Sequence, residues 1–322
     1  MPAMPDFSIV ILNYNGKDVL RECLDSVLAT SGVEFEVILV DNGSTDGSAE
    51  MPDLYRGRIR IIKLASNTGY AKGNNIGAAA ALGRYLVTLN NDVAVTPEWL
   101  KQPADLFGTH PEIGVVSCRQ MNYFRKEIVD CLFAVSGPRI YPREFQRGKT
   151  YDPIPPSFVM SAGGASAIYR RDAFLSVGGF DEDFFAYREE SDLCLRLLKR
   201  GWKCAFAPAS VVYHKASYSF NRKALLQRYF LERNSLLYVA KNIMILEIIR
   251  HIPWFILGEI KDIARHIFIY HGKGAYFRAR IDALRYIRSH WQDFARERRL
   301  SQNYSHYYNN LRTRSFIPLD EH

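Results

Sequence analysis

Four apolar runs in the first ninety residues each end in a burst of asparagine, aspartate, glycine and serine, and this pattern most narrows what the chain can become. Residues 7–12 (FSIVIL), 36–40 (EVILV), 58–64 (RIRIIKL) and 84–89 (RYLVTL) read as strands, the first two apolar enough to be buried on both faces of a parallel sheet. Between the first two, residues 18–30 place Val19, Leu20, Cys23, Leu24, Val27 and Leu28 on one helical face. Residues 71–82 form an alanine-rich helix before the fourth strand. The β-α-β-α-β order predicts a doubly wound α/β sheet with right-handed crossovers. Such sheets bind ligands beyond the carboxyl ends of their strands. There stand Asn13-Tyr14-Asn15-Gly16, Asp41 through Gly47, Ser66-Asn67-Thr68-Gly69 and Asn90-Asn91-Asp92. Each cluster alone is also what an ordinary turn uses, because these residues favour turns for backbone reasons.

Farther on, residues 120–157 are rich in proline, arginine and tyrosine and read as an irregular excursion over the site. Ala167–Tyr169 and 209–213 read as strands, with His214 after the second, and 192–200 as a helix opened by Glu189-Glu190-Ser191-Asp192. Acidic residues at a helix start are favoured by the dipole and by capping, and Asp192 is assigned to that role. Beyond residue 220 the pattern turns helical. Residues 223–242 and 243–270 are apolar at helical spacing but interrupted by Glu247, Arg250, Glu259, Lys261, Asp262 and Arg265, which makes them amphipathic rather than membrane-spanning. Two regions follow, a catalytic domain over 1–220 and a basic helical extension over 221–322.

Charge supports the division. The net charge of +8 resides in the extension, where 18 Lys and Arg face 9 Asp and Glu; the first 220 residues hold 24 against 25. A basic helical tail carrying Trp254, Phe255, Tyr270 and Trp291 suits an anionic membrane surface, with helix-mediated homodimerisation as the competing use. Five cysteines, odd in number and without a close pair, argue against a disulfide scaffold or zinc ribbon and for a reducing, cytoplasmic setting. No basic segment precedes the first apolar run, so no signal peptide is expected.

Five ordered segments resemble glycosyltransferase family 2, in particular its bacterial rhamnosyltransferase-like members: IVILNYNG, VDNGSTDGS, NTGYAKGNNIG, LNNDV, and GGFDEDFFAYREESDLCLRLLKRGW followed by VVYH. The resemblance spans about residues 7–217. It implies the GT-A fold, a mostly parallel nucleotide-diphospho-sugar transferase sheet, and an inverting, metal-dependent transfer. In that family the segments around Leu12, Tyr14 and Asp41 meet the base and ribose, and Asn67, Lys72 and Asn75 lie toward the diphosphate. Asn90-Asn91-Asp92 is similar to the family's metal-binding D-x-D motif, with asparagine in its first two positions; Asn90 and Asn91 then belong to the nucleotide site. Asp92 and His214 are the implied ligands of manganese or magnesium, hard divalent ions that neutralise a departing diphosphate. Inversion needs a general base for the acceptor hydroxyl. The resemblance places it at Glu190, with Glu189 as the alternative. Gly163 and Gly164 match the loop beneath donor sugar and acceptor, and Arg188 is a candidate contact to an acceptor phosphate.

The implied donor is dTDP-rhamnose, with UDP-sugars next, and the implied acceptor is a glycan or polyprenyl-diphosphate-linked glycan of the cell surface. Other nucleotide enzymes are disfavoured: residues 13–18 fail the G-x-G-x-x-G fingerprint, and no Walker motif occurs. Nucleic-acid-binding motifs are also absent. A catalytically inactive module of the same fold is the remaining alternative.

Overall fold

The computed structural model describes residues 5–55, 57–137, 139–215, 224–268, 273–300 and 305–321. Four strands expected from the apolar runs form one parallel block: β1 (Phe7–Asn13), β2 (Phe35–Asp41), β3 (Ile59–Lys63) and β4 (Tyr85–Asn90), in the order β4-β1-β2-β3. The run in β1 is continuously apolar because both its faces are covered. Phe7, Ile9 and Ile11 join one core with Leu20, Cys23, Leu24 and Val27 of α1 (Leu20–Leu28). Val10 joins the opposite core with Ala71 and Ala78 of α2 (Tyr70–Ala80). The chain leaves β1 for β2 on one side and returns through β4 on the other, so the winding reverses at β1. The crevice at such a reversal is where doubly wound sheets take their ligands.

Beyond β4 the sheet becomes mixed. After β5 (Val93–Val95) and α3 (Lys101–Thr109), β6 (Ile113–Asn122) is followed by β7 (Val129–Cys131), β8 (Ala134–Ser136), β9 (Pro142–Glu144), β10 (Ser157–Val159) and β11 (Ser166–Arg170). β11 wedges antiparallel between β4 and β6. Helices α4 (Arg171–Ser176) and α5 (Glu189–Lys199) precede β12 (Lys203–His214), which is parallel to β6 and antiparallel to β5 and β10. The excursion at 120–157 therefore has order: β7 pairs with β6, and β8 with β9. The strand expected at 209–213 is the end of a twelve-residue strand, broken by a bulge between Ala207 and Val211. Helix α5 starts at Glu189, three residues before the expected start, which puts Glu189 and Glu190 in its first turn.

The extension is helical in α6 (Ala224–Asn242), α7 (Ile245–Arg250), α8 (Ile252–Phe268), α9 (Lys273–Ser289), α10 (Trp291–Arg299) and α11 (Ser305–Arg314). It does not stand apart. Its strand β13 (Phe316–Pro318) pairs with β10 and so enters the central sheet. A third core joins Phe184, Leu195 and Leu198 to Leu237, Tyr238 and Ile243 of the extension. The expected boundary at 220/221, Lys223 and Tyr270 lie outside the described residues. Among the described residues no helix is long and apolar enough to cross a membrane. All five cysteines are free and buried.

Candidate active site

The carboxyl ends of β1, β4 and β12 open on a cleft of about 640 Å³ that reaches the start of α5 and the first turns of α6. Behind Asn91 of its lining runs a buried chain of polar side chains. Asn91 Nδ2 donates to Asn13 Oδ1 at 2.8 Å, and Asn13 Nδ2 donates to Asp41 Oδ1 at 3.0 Å. Gly16 makes room for it: a Cβ there would come within 2.1 Å of the Asn91 amide nitrogen and 2.4 Å of Asn13 Oδ1. Leu12, Tyr14, Asn67, Asn90, Asn91 and Asp92 all line the cleft, as expected.

Three expected nucleotide residues face elsewhere. Asp41 is 3% exposed, and its carboxylate accepts from Asn13 and from the Ser44 backbone N–H at 3.1 Å, closing the loop behind the cleft wall. Lys72 is half-exposed and ion-paired with Glu182 at 3.6 Å. Asn75 donates to the Phe180 carbonyl and accepts from the Phe180 N–H, each at 2.9 Å, so it holds that loop in place. None of the three lines the cleft. Asn42 takes up the wall instead, accepting from Thr68 N–H at 2.8 Å and donating to Asn67 Oδ1 at 3.1 Å.

Asp92 and His214 meet as expected, because β5 just after Asp92 pairs with the end of β12. His214 Nε2 lies 3.2 Å from Asp92 Oδ1. The contact is not aligned as a hydrogen bond, and this buried oxygen has no hydrogen-bond donor among the described residues. On the other side of the ring, His214 Nδ1 meets Asp130 Oδ2 at 2.7 Å. Burial disfavours the imidazolium, but the two carboxylates outweigh it and push the His214 pKa up to about 10. Burial likewise opposes ionisation of Asp130, and the bond to His214 prevails, holding its carboxyl below the usual range. Asp130 is a cleft residue that sequence reasoning missed. It sits on a three-residue strand in a stretch without periodicity, and only its pairing to β6 brings it here. Glu144, Arg147, Gln120 and Tyr187 are further wall residues of the same kind.

The opposite wall is built on strain and clamps. Phe185, Tyr187 and Arg188 take φ of 62°, 71° and 76° just before α5, a left-handed region that is costly for side-chain-bearing residues and persists where surroundings enforce it. Asn234 of α6, fully buried, provides that enforcement: its Nδ2 reaches the carbonyls of Phe184, Ala186 and Tyr187 at 2.7, 2.8 and 2.9 Å. Arg188 lines the cleft with its Nε 3.3 Å from Ser235 Oγ. Glu189 and Glu190 both line the cleft, but Glu189 is only 4% exposed while Glu190 is partly open. Burial raises both carboxyls, and Glu189 is raised further by Glu190 beside it. Gly163 and Gly164 form the facing loop, held by Gly163 N–H to Ser117 Oγ at 3.0 Å and Tyr70 O–H to the Gly164 carbonyl at 2.9 Å.

Asp192 has a larger role than the expected helix-start charge. It is fully buried and bound by Arg196 at 2.7 Å, Asn242 at 2.7 Å and Lys241 at 3.1 Å. Burial would raise its carboxyl, yet the Lys241 and Arg196 charges hold it well below the usual range.

The sheet order and the polar cleft at its switch point are those expected of the GT-A fold, and the family match and the likeness to solved glycosyltransferases show that fold. The chain belongs to glycosyl transferase family 2, whose model matches residues 8–178. It is 28% identical over 242 residues to the N-acetylglucosaminyl-diphospho-decaprenol L-rhamnosyltransferase of Mycobacterium tuberculosis, covering 66% of this chain and 77% of that one. It is 31% identical over 235 residues to the O-antigen biosynthesis protein RfbC of Myxococcus xanthus, covering 69% of this chain and 18% of the relative. Among solved structures, S. aureus TarS 1–349 in complex with UDP-GlcNAc superposes with a TM-score of 0.59 at 17% identity, over 93% of this chain and 91% of that one. The mannosyltransferase PcManGT of Pyrobaculum calidifontis, with GDP-Man and Mn2+, gives 0.56 at 18% identity, over 91% and 85%.

Proposed function

We propose that the protein is an inverting glycosyltransferase that moves a sugar from a nucleotide-diphosphate donor, dTDP-rhamnose or a UDP-sugar, to a glycan or polyprenyl-diphosphate-linked glycan in cell-surface polysaccharide synthesis. It works at the cytoplasmic face of the membrane. The observation that carries the reading is the line Asp92–His214–Asp130 in the same cleft as Glu190. The mycobacterial relative's lipid-linked acceptor supports the acceptor class, and the sequence resemblance supports the donor.

The donor's nucleoside lies on Leu12, Tyr14, Asn42 and Asn67. A divalent cation, Mn2+ or Mg2+, would be held by Asp92 and His214, in place of the ring proton that the two carboxylates favour in its absence: a buried carboxylate oxygen without a hydrogen-bond donor lies 3.2 Å from an imidazole nitrogen, and Asp130 fixes the ring's other nitrogen, as carboxylates commonly do for metal-binding histidines. When bound, that cation supplies charge to the departing diphosphate. Among the described residues no three ligating side chains converge, so the diphosphate would complete the coordination. Glu190 takes the proton of the acceptor hydroxyl as its oxygen bonds the anomeric carbon. The bond from that carbon to the diphosphate breaks on the opposite face, giving the inverted glycoside and a nucleoside diphosphate. Burial raises the Glu190 carboxyl and so makes it a stronger base. Glu189, buried beside it, is the alternative.

The test is thermal shift with UDP, dTDP, GDP and ADP, with and without Mn2+, followed by turnover of Glu190→Gln. Metal-dependent stabilisation by dTDP or UDP is expected. Glu190→Gln should keep that stabilisation and lose about two or more orders of magnitude in turnover. In the wild type, kcat/KM should fall as pH drops through a pKa above the ordinary glutamate value, because the base is lost on protonation; this limb should vanish in the variant. Full turnover in the variant moves the base to Glu189. Stabilisation without transfer to any acceptor favours an inactive binding module.

A further inference from the structure

Helices α7 and α8 carry a large apolar surface that nothing among the described residues covers. Leu246, Ile249, Trp254, Ile256, Leu257 and Ile260 are each 55–60% exposed. A contiguous apolar surface of this kind on a folded protein marks an interaction face. On α8 positions 253, 256, 257, 260 and 264 are exposed and recur at helical spacing, with Ile252 at one edge of that stripe and Trp254, Lys261 and Arg265 at the other, so they make one face rather than scattered residues.

The charges of these helices are sorted by side. Every acid turns inward to a partner: Glu247 to Arg312 at 3.1 Å and Arg250 at 2.6 Å, Glu259 to Arg280 at 2.7 Å, Asp262 to Arg139 at 2.5 Å. On the exposed side remain Lys261 and two arginines that share those acids while staying open to solvent: Arg250, 65% exposed and 2.6 Å from Glu247, and Arg265, 47% exposed and 3.9 Å from Asp262. Gly258 is what lets the inner face seat: a Cβ there would meet the Arg139 side chain at 2.2 Å, so Arg139 lies flat against the helix and fixes which stripe looks outward. The outer face is thus apolar with a cationic rim and an interfacial tryptophan, and among the described residues no helix is long and apolar enough to span a bilayer.

We propose that α7 and α8 dock the protein on an anionic lipid bilayer, with Trp254, Leu257 and Ile260 entering the headgroup–acyl boundary and Arg250, Lys261 and Arg265 meeting lipid phosphates. A second copy of the chain is a poorer occupant, because it would set the same cationic rim against itself without an outward acid to match. Docking would bring the cleft to the membrane. Arg139, which binds α8, lies in the connection between β8 and β9, and those strands carry Ala134 and Glu144 of the cleft wall. That orientation serves the lipid-linked acceptor and rests on the proposed function; the docking face does not.

The test is co-sedimentation of the full chain with phosphatidylglycerol–phosphatidylcholine vesicles and with phosphatidylcholine alone. Sedimentation velocity without vesicles and the nucleotide thermal shift accompany it. Binding to the anionic vesicles is expected. Leu257→Gln/Ile260→Gln should abolish it, and Lys261→Gln/Arg265→Gln should weaken partition on the order of tenfold or more. All variants should keep the wild-type nucleotide response, since these side chains are exposed and none of them lines the cleft. Wild-type protein that stays in the supernatant with anionic vesicles overturns the proposal. A dimer that Leu257→Gln/Ile260→Gln dissociates, with vesicle binding unaltered, assigns the face to a second copy. Vesicle binding with no nucleotide response would sink the proposed function and leave the docking face standing.

Discussion

Asp130 and Asp41 divide the site's carboxylates in a way that residue type alone does not disclose. Asp41 follows a buried strand inside a recognisable segment, yet Asn13 and Ser44 occupy its oxygens and it holds a loop. Asp130 belongs to no motif, yet it grips His214 at 2.7 Å inside the cleft. Strand-end spacing finds positions at the sheet edge, which is why Asp92 was legible; Glu190, at a helix start, and His214 needed the resemblance as well. It does not say whether a polar side chain points into the cleft or back to an unsatisfied loop N–H, and buried loops need the second service. If Asp130 orients the imidazole toward a cation, Asp130→Asn removes the charge behind the ring while nearly keeping its shape. We expect Mn2+ titrated in the presence of dTDP to bind about 10–100-fold more weakly, as for other outer partners of metal-binding histidines. Binding of dTDP without metal should be unchanged. Equal losses with and without metal would make Asp130 a purely structural residue.

At the scale of elements, the junction of α5 and α6 shows how far the site depends on the extension. The turn at 185–188 aims Arg188, Glu189 and Glu190, and its three positive φ angles are uphill for ordinary residues. The Asn234 amide, sharing two N–H groups among three carbonyls, offsets that cost. Neither side of this contact was readable in advance. Asn234 sits within a helical apolar pattern, where a polar residue reads as solvent-facing, and the turn contains no glycine to advertise its backbone. Asn234→Ala should take this donor from the Ala186 and Tyr187 carbonyls, while the Phe184 carbonyl keeps the Ala186 N–H at 2.7 Å, and cost about 2–4 kcal/mol. It should also let the turn relax toward negative φ, misplacing Glu190. The signature is a fall in kcat well beyond the change in KM, measured at a temperature where the variant is still folded. A variant that loses stability but keeps kcat would show that the turn holds its shape without the clamp.

For the whole molecule, these junctions bear on whether 1–220 and 221–322 are separable, a division drawn from charge and periodicity. Charge composition does change near residue 220. Cohesion, however, is set by what is buried between parts, and a one-dimensional pattern cannot display that. The Asp192 carboxylate on α5 takes Lys241 and Asn242 from α6 as partners, and removing the extension takes both away and leaves it with Arg196 alone. The same cut uncovers Phe184, Leu195 and Leu198, each at most 4% exposed, at about 1.5–3 kcal/mol per side chain. It also strips β13 from the edge strand β10. Together these terms rival the 5–15 kcal/mol that holds an entire domain folded. The expectation is therefore that a fragment of residues 1–220 is insoluble or lacks a cooperative thermal transition, whereas the full chain unfolds in one. A fragment that melts cooperatively and still responds to dTDP with Mn2+ would restore the extension to a detachable appendage. Its basic helices would then serve location alone, with no part in shaping the catalytic turn.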